Sequence, residues 1–138
     1  MEPFREGPMS LGRVLVVDDD PNILDKVRLV LTRAGYGVLT VADGQEAMSL
    51  MQDDSTAATV CTLLCDLDMP HVKGTELFAH FHSRYPTIPI TVLSGADAFQ
   101  FTEAIVKQGV TDWLRKPASR DALLKKVRIS VRLHDLRA

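Results

Sequence analysis

Five polar residues directly follow apolar segments of this sequence, and their types could bind a metal ion and a phosphoryl group. Asp18 and Asp19 follow "VLVV", Asp66 follows "VCTLLC", Ser94 follows "ITVL" and Lys116 follows "VTDWLR". Carboxylates that crowd together raise one another's pKa unless a cation lies among them. Mg²⁺ suits such a set, because it takes oxygen ligands and is commonly held by one or two carboxylates with a phosphate. Lysine and serine side chains can hold the phosphoryl oxygens.

Asp66 is the central acidic residue of this set and is the candidate nucleophile. With a metal ion and Lys116 drawing charge from an incoming phosphoryl group, a carboxylate can attack phosphorus and form an acyl phosphate. A simpler interpretation applies to Asp20, which is expected to cap the helix that follows it. The sequence therefore indicates phosphoryl chemistry on a carboxylate, with Asp66 in the role of nucleophile.

The chemically active residues require a scaffold that brings several segment ends to one place. Strand-like apolar runs alternate with stretches of helical length, which predicts an α/β doubly wound fold with a five-stranded parallel sheet and five flanking helices. In such sheets the ligand site lies beyond the carboxyl ends of the strands. The expected strands are residues 12–17, 37–41, 58–65, 88–93 and 110–114.

Sequence signals also mark where the helices begin and end. Pro21 stands at a favoured first helical position and Gly35 is typical of a helix stop. Asp43 and Glu46 have the spacing of a capping box. A fourth helix is expected over about 97–109, and a last helix, capped by Ser119, is expected to bury Leu123, Leu124, Val127 and Val131.

Length and composition favour a single globular domain. The chain has 138 residues, 46% of them hydrophobic and 25% charged. Residues 1–10 lack periodicity and are interpreted as a flexible leader, with the domain over 11–135. The net charge of -2 argues against direct nucleic-acid binding and against attraction to an anionic membrane. No apolar run approaches the roughly 18 residues of a membrane span, so a cytoplasmic location is expected.

Several motifs together resemble the receiver domain of two-component response regulators, the CheY-like family. They are "VLVVDDDP", "LLCDLDMPHVKG", "TVLSG" and "DWLRKP", in the same order and at the same spacing. The resemblance covers roughly residues 11–135. It implies a flavodoxin-like receiver fold with the strand order 2-1-3-4-5.

Position by position, the resemblance assigns a role to each motif residue. Asp18 and Asp19 resemble the acidic pair that holds Mg²⁺ or Mn²⁺, and Asp66 resembles the phosphoacceptor. Asp68 matches the position whose backbone carbonyl completes the metal shell. The remaining positions are Ser94 as the switch hydroxyl, Lys116 as the phosphate-binding lysine, Pro117 as the proline after it, often cis, Trp113 as the switch aromatic and Gly74 as the loop glycine before the third helix.

The resemblance also implies a function and partners. Asp66 would accept a phosphoryl group from a phosphohistidine of a sensor histidine kinase or phosphotransfer protein. Phosphorylation would then shift the face formed by the fourth helix, the fifth strand and the fifth helix, called α4-β5-α5 in the family. That face would meet an output domain, a partner protein or, in a homodimer, a second copy. The chain is not expected to be an enzyme beyond self-catalysed phosphoryl acceptance and autodephosphorylation.

Three other functions remain open at the level of the sequence. A phosphorylation-independent interaction module could keep the fold without the chemistry. A haloacid-dehalogenase-like phosphatase uses paired aspartates like Asp66 and Asp68, but it normally has threonine or valine where Pro70 stands. A flavodoxin-like flavin carrier shares the winding, but the acidic residues after the first strand would repel a cofactor phosphate.

Overall fold

A computed structural model describes residues 11–67, 74–95 and 103–138 of the chain. Its five strands form one parallel sheet in the order β2-β1-β3-β4-β5. This confirms the expected fold class and strand order. The strands are β1 (Arg13–Val17), β2 (Gly37–Val41), β3 (Val60–Asp66), β4 (Ile90–Ser94) and β5 (Val110–Arg115).

Six helices lie between and after the strands in the part of the chain that the structure describes, one more than expected. The additional helix is a single turn that follows Asp53, whose carboxylate accepts a hydrogen bond from the backbone N–H of Ser55. The helices are α1 (Pro21–Arg33), α2 (Gly44–Met51), α3 (Asp54–Ala57), α4 (Gly74–Arg84), α5 (Glu103–Lys107) and α6 (Arg120–Arg137). None of them is long and apolar enough to span a membrane.

Capping residues explain where three of the helices begin. Asp20 accepts a hydrogen bond from the backbone N–H of Asn22 at the start of α1, and Ser119 accepts one from Ala122 at the start of α6. Asp43 accepts from the N–H of Glu46 at 2.8 Å, as the capping-box spacing predicted. The return bond differs, because Glu46 Oε2 accepts from the N–H of Ala42 at 3.1 Å, one residue before the cap.

Side chains of the central strands alternate between two apolar cores, one on each face of the sheet. The α2/α4 core contains the buried residues Leu15, Val17, Val41, Ala47, Met51, Val60, Leu63, Cys65, Leu77, Phe78, Phe81, Ile88, Ile90, Val92 and Val110. The α1/α6 core contains Val14, Val16, Val27, Leu31, Tyr36, Leu64, Leu93, Leu114, Leu123 and Val127. These two layers bury both faces of the sheet. Because its strands are parallel, their carboxyl ends all lie at one edge.

The buried face of α6 differs from the expected one. Leu123 and Val127 are buried, but Leu124 and Val131 are half-buried. Ser130 takes a core position instead, 2% exposed, and its Oγ lies 3.0 Å from Oγ1 of Thr91 in β4. A buried hydroxyl is tolerated there because its hydrogen bond is satisfied by another buried hydroxyl.

Three strands extend one residue further toward the site than predicted, and they end at Asp66 in β3, Ser94 in β4 and Arg115 in β5. β3 includes Asp66 and β4 includes Ser94, so both residues are the last of their strands rather than the first residues after them. The backbone of Leu67 continues the pairing, because its N–H donates to the carbonyl of Leu93 at 2.9 Å. The expected fourth helix is described only over α5, and residues 97–102 lie outside the described residues.

Candidate functional site

Three of the predicted residues meet at the carboxyl edge of the sheet, where β1, β3 and β5 end. Lys116 Nζ lies 3.0 Å from Oδ2 of Asp66 and 3.3 Å from Oδ2 of Asp18. β1 and β3 are neighbours in the sheet, which places the two aspartates side by side. Lys116 follows β5, two strands beyond β3, and its long side chain reaches both carboxylates. The sheet thus brings together residues that are far apart in sequence.

Burial makes the two aspartates unusual, because charged groups are seldom fully removed from water. Asp18 is 0% exposed and Asp66 is 3% exposed. Desolvation raises the pKa of Asp18, and the nearby charge of Asp66 adds to this effect. A hydrogen bond from the backbone N–H of Asp20 to Asp18 Oδ1, 2.9 Å long, acts in the opposite direction, as does Lys116. The net pKa of Asp18 remains raised.

Lys116 is the counter-charge within this buried group. Burial by itself would lower the pKa of its ammonium group. The hydrogen bond and charge of Asp66, followed by those of Asp18, outweigh that effect and raise the pKa. Lys116 therefore stays protonated at neutral pH and presents a fixed positive charge beside the carboxylate of Asp66.

Asp19 completes an acidic cluster that could hold a metal ion. Asp18, Asp19 and Asp66 each place one carboxylate oxygen within 4.8 Å of the others. Asp18 Oδ2 has an ion-pair contact with Lys116 but no hydrogen bond of good geometry from any described residue. One lysine cannot balance three carboxylates, so the donor set and charge fit a hard divalent cation. Asp68, predicted to add a backbone carbonyl, lies outside the described residues.

Ser94 is the last residue of β4, which lies between β3 and β5, and a backbone hydrogen bond joins it to Lys116. It is 0% exposed, and its carbonyl accepts a hydrogen bond from the N–H of Lys116 at 2.8 Å. The Lys116–Pro117 peptide bond is cis. A backbone hydrogen bond therefore joins the two residues that were predicted to supply the hydroxyl and the ammonium group.

Trp113 lies further from the acidic cluster, within β5. Its side chain is partly buried against the α2/α4 core. Its indole Nε1 is buried, and no described residue accepts a hydrogen bond from it. The ring thus packs in the layer that contains α5, on the face for which a switch role was predicted. Gly74, predicted to lie in the loop before the third helix, is instead the first residue of α4.

One polar contact near this face was not anticipated from the sequence. Lys126 Nζ of α6 lies 2.8 Å from Oδ1 of Asp112 in β5, and the same oxygen accepts from the backbone N–H of Trp113. An acidic residue inside a short apolar strand was the available signal, since such a residue requires a partner. The contact anchors α6 beside the strand that carries Trp113.

Comparison with known proteins assigns the family. The family model "response regulator receiver domain" matches residues 14–128. The chain belongs to this family. The receiver resembles the transcriptional regulatory protein GlrR of Escherichia coli K12, with 32% identity over 116 residues, which are 84% of this chain and 25% of that protein.

A second relative is a kinase. The CAI-1 autoinducer sensor kinase/phosphatase CqsS of Vibrio cholerae is 33% identical over 118 residues, which are 83% of this chain and 17% of that protein. The receiver thus spans a quarter or less of the length of these two relatives.

A solved structure supports the fold independently. The crystal structure of a CheY-like response regulator receiver domain protein from Methanospirillum hungatei JF-1 superposes with a TM-score of 0.83 at 26% identity. The match covers 94% of this receiver and 100% of that chain. The fold and family that the motifs implied are therefore confirmed.

Proposed function

We propose that this receiver accepts a phosphoryl group on Asp66 with the help of Mg²⁺ or Mn²⁺. The observation that carries the proposal is the buried contact of Lys116 with Asp66, 3.0 Å long, inside a cluster of three carboxylates. A buried carboxylate beside a fixed ammonium group can act as a nucleophile while its environment balances the incoming charge. Family membership supports the same chemistry.

The transfer step requires little beyond positioning. An oxygen of Asp66 attacks phosphorus, and the bond between phosphorus and the nitrogen of a donor phosphohistidine breaks, leaving its electron pair on the imidazole. Lys116 can then move its hydrogen bond from Asp66 to a phosphoryl oxygen, and the Ser94 hydroxyl can bond another. Donors that meet the charge where it develops stabilise the transition state.

A divalent metal fits the same arrangement. Asp18 and Asp19, with Asp66, would hold the ion, which would neutralise phosphoryl oxygens during the transfer. The backbone carbonyl of Asp68 remains a predicted further ligand. In this assignment Asp18 serves as a ligand because its buried carboxylate lacks sufficient counter-charge.

The chain acts on itself only, by accepting and losing the phosphoryl group, and is not an enzyme for external substrates.

Phosphorylation would act on the rest of the domain through Ser94 and Lys116. A ligand shifts a conformational equilibrium only by interacting differently with the two states. Ser94 ends β4, which pairs with β5, and Lys116 directly follows β5, so their rearrangement would reach Trp113 and the face formed by α5, β5 and α6. This is the α4-β5-α5 face of the five-helix description, because α3 adds one helix to the count.

The partners belong to the same proposal. A sensor histidine kinase or a phosphotransfer protein would supply the phosphoryl group. An output domain, a partner protein or a second copy of the receiver would read the α5-β5-α6 face. The matching relatives include a transcriptional regulator and a sensor kinase, which indicates that this domain type serves more than one kind of output.

Intact-mass spectrometry after incubation with acetyl phosphate and Mg²⁺ tests the proposal. We expect the chain to gain one phosphoryl group, and Asp66→Asn or a chelator to abolish the gain. Asp25→Asn is the matched control, since Asp25 is exposed on α1 and is not one of the three clustered carboxylates, and it should be phosphorylated normally. A folded wild-type chain that gains nothing would instead indicate an interaction module without phosphoryl chemistry.

A further inference from the structure

A cavity of about 290 Å³ lies between α1 and α6, beside the acidic cluster but separate from it. Ile23, Val27 and Val30 of α1 line it, together with Leu123 of α6 and Leu93 of β4. Ala118, in the turn before α6, lines the cavity with only a methyl group. The volume is at the lower end of the range for ligand pockets, which begins at roughly 300 Å³.

The charges at this cavity are of one sign. Lys26, Lys116 and Arg120 line it, and none of the described residues that line it is acidic. The ammonium group of Lys116 is engaged by Asp66 and Asp18. Lys26 and Arg120 are exposed, and among the described residues Arg120 forms an exposed ion pair of 3.5 Å with Asp121. An exposed pair of this kind is weak and is readily exchanged for another anion.

An apolar cavity with a cationic mouth selects a particular type of ligand. The aliphatic walls favour a compact apolar body, because burial of apolar surface is the main source of affinity in such pockets. Lys26 and Arg120 favour a negative group at the mouth, since a planar guanidinium group pairs well with a carboxylate. A cationic ligand would meet repulsion from both residues.

We propose that this cavity, called here the α1/α6 cavity and lined by Ile23, Lys26, Val27, Ala118, Arg120 and Leu123 among others, binds a small amphipathic anion. The ligand class is an aromatic or branched aliphatic carboxylate whose apolar body enters between the helices. The inference concerns binding alone and stands whether or not Asp66 is phosphorylated. Lys116 lines the cavity and contacts Asp66, so this one lysine lies between the cavity and the acidic cluster.

Titration of the full chain with 2-naphthoate, followed by NMR of its methyl groups, tests the proposal. We expect the methyl signals of Ile23, Val27 and Leu123 to shift together, with a dissociation constant on the order of 1 mM or below for so small a ligand. The cation 2-naphthylmethylammonium has a similar apolar body, and we expect it to bind at least about three- to tenfold more weakly. Equal binding of the two probes, or shifts located elsewhere, would overturn the proposal.

Two variants test the apolar lining of the cavity and its cationic residues separately. Ala118→Leu places a larger side chain in the α1/α6 cavity, so we expect it to weaken 2-naphthoate binding at least about tenfold. Lys26→Glu should reverse the preference between the two probes, whereas Lys125→Glu, at an exposed lysine of α6 outside the cavity, should leave it unchanged. Failure of Lys26→Glu to alter the preference would contradict the proposed ligand charge even if Ala118→Leu does not fold.

Discussion

The acidic residues at the carboxyl edge of the sheet and the side chains of the α2/α4 core are both buried, yet they have opposite effects on the stability of the domain. The core removes large apolar side chains from water, including Phe78 and Phe81, each 0% exposed. The edge removes the carboxylates of Asp18 and Asp66 from water with one lysine between them. Burial of apolar area stabilises the fold, whereas burial of carboxylates opposes it because charged groups lose their contact with water. The core therefore supplies the stability that lets the edge hold reactive groups.

Truncation in the core should produce the largest effect on stability. Phe78→Ala removes a fully buried ring from α4 and leaves a cavity, so we expect the free energy of unfolding to fall by about 3–5 kcal/mol. Urea denaturation followed by circular dichroism measures this change. Leu136→Ala is the control, because Leu136 is 80% exposed and its replacement should change stability by less than about 0.5 kcal/mol. Similar losses for both variants would contradict the assignment of the core.

Neutralising a carboxylate at the carboxyl edge of the sheet should raise the free energy of unfolding, the opposite of truncation in the core. Asp18→Asn keeps the oxygen that accepts from the N–H of Asp20 and removes a buried negative charge. We expect the free energy of unfolding in a chelator to rise by about 1–2 kcal/mol. The stabilisation that Mg²⁺ gives the wild type should be lost in the variant. Thermal unfolding with and without Mg²⁺ measures both effects, and a variant that Mg²⁺ still stabilises fully would exclude Asp18 as a ligand.

The gain from Asp18→Asn should depend on pH. Because the pKa of Asp18 is raised in the folded state, the folded protein binds more protons than the unfolded chain between the ordinary value near 3.8 and the raised value. The destabilising charge is therefore absent below that window and fully present above it. We expect the stability difference between the variant and the wild type, measured without metal, to be near zero in acid and to increase as the pH rises through the window. A constant difference would contradict burial as its cause.

Replacing a carboxylate that caps a helix at the same edge should lower the stability, as truncation in the core does, and not raise it as Asp18→Asn does. Asp43 follows β2 and accepts a hydrogen bond of 2.8 Å from the N–H of Glu46 at the start of α2. We expect Asp43→Ala to lower the free energy of unfolding by about 1 kcal/mol. Asp43→Asn should retain most of that stability, because asparagine caps helices about as well. Urea denaturation measures the stability of both variants. Asp43→Asn loses the negative charge but can keep the capping hydrogen bond, whereas Asp43→Ala loses both, so the comparison separates the two contributions.

Much of the fold could be predicted because its signals are local. Apolar runs such as "VCTLLC" identify strands buried on both faces, and Asp20, Asp43 and Ser119 identify helix starts through bonds to residues nearby. The site was predictable for a related reason. In a parallel sheet the residues that follow the strands meet at one edge, so Asp18, Asp66 and Lys116 could be expected to meet before any distance was known.

Features that depend on contacts across the molecule could not be predicted in this way. The single turn α3 has no apolar periodicity and depends on the cap at Asp53. The pairing of Asp112 with Lys126 and the space beside Ala118 depend on how α6 lies against the sheet. Burial of Ser130 in place of Val131 depends on the rotation of α6 about its axis. Sequence periodicity leaves that rotation uncertain by about one position, since neighbouring residues differ by roughly 100°.

The hydroxyl pair of Thr91 and Ser130 has a mechanical consequence for α6. Both side chains are 2% exposed, so separating them would leave two buried polar groups without partners, at about 1–3 kcal/mol each. Sliding α6 along the sheet by one turn, about 5.4 Å, would break this bond. Thr91 lies in the same strand as Ser94. The pair therefore favours one register of α6 on β4, and we expect a shift of β4 at Ser94 to be transmitted to α6 through this bond.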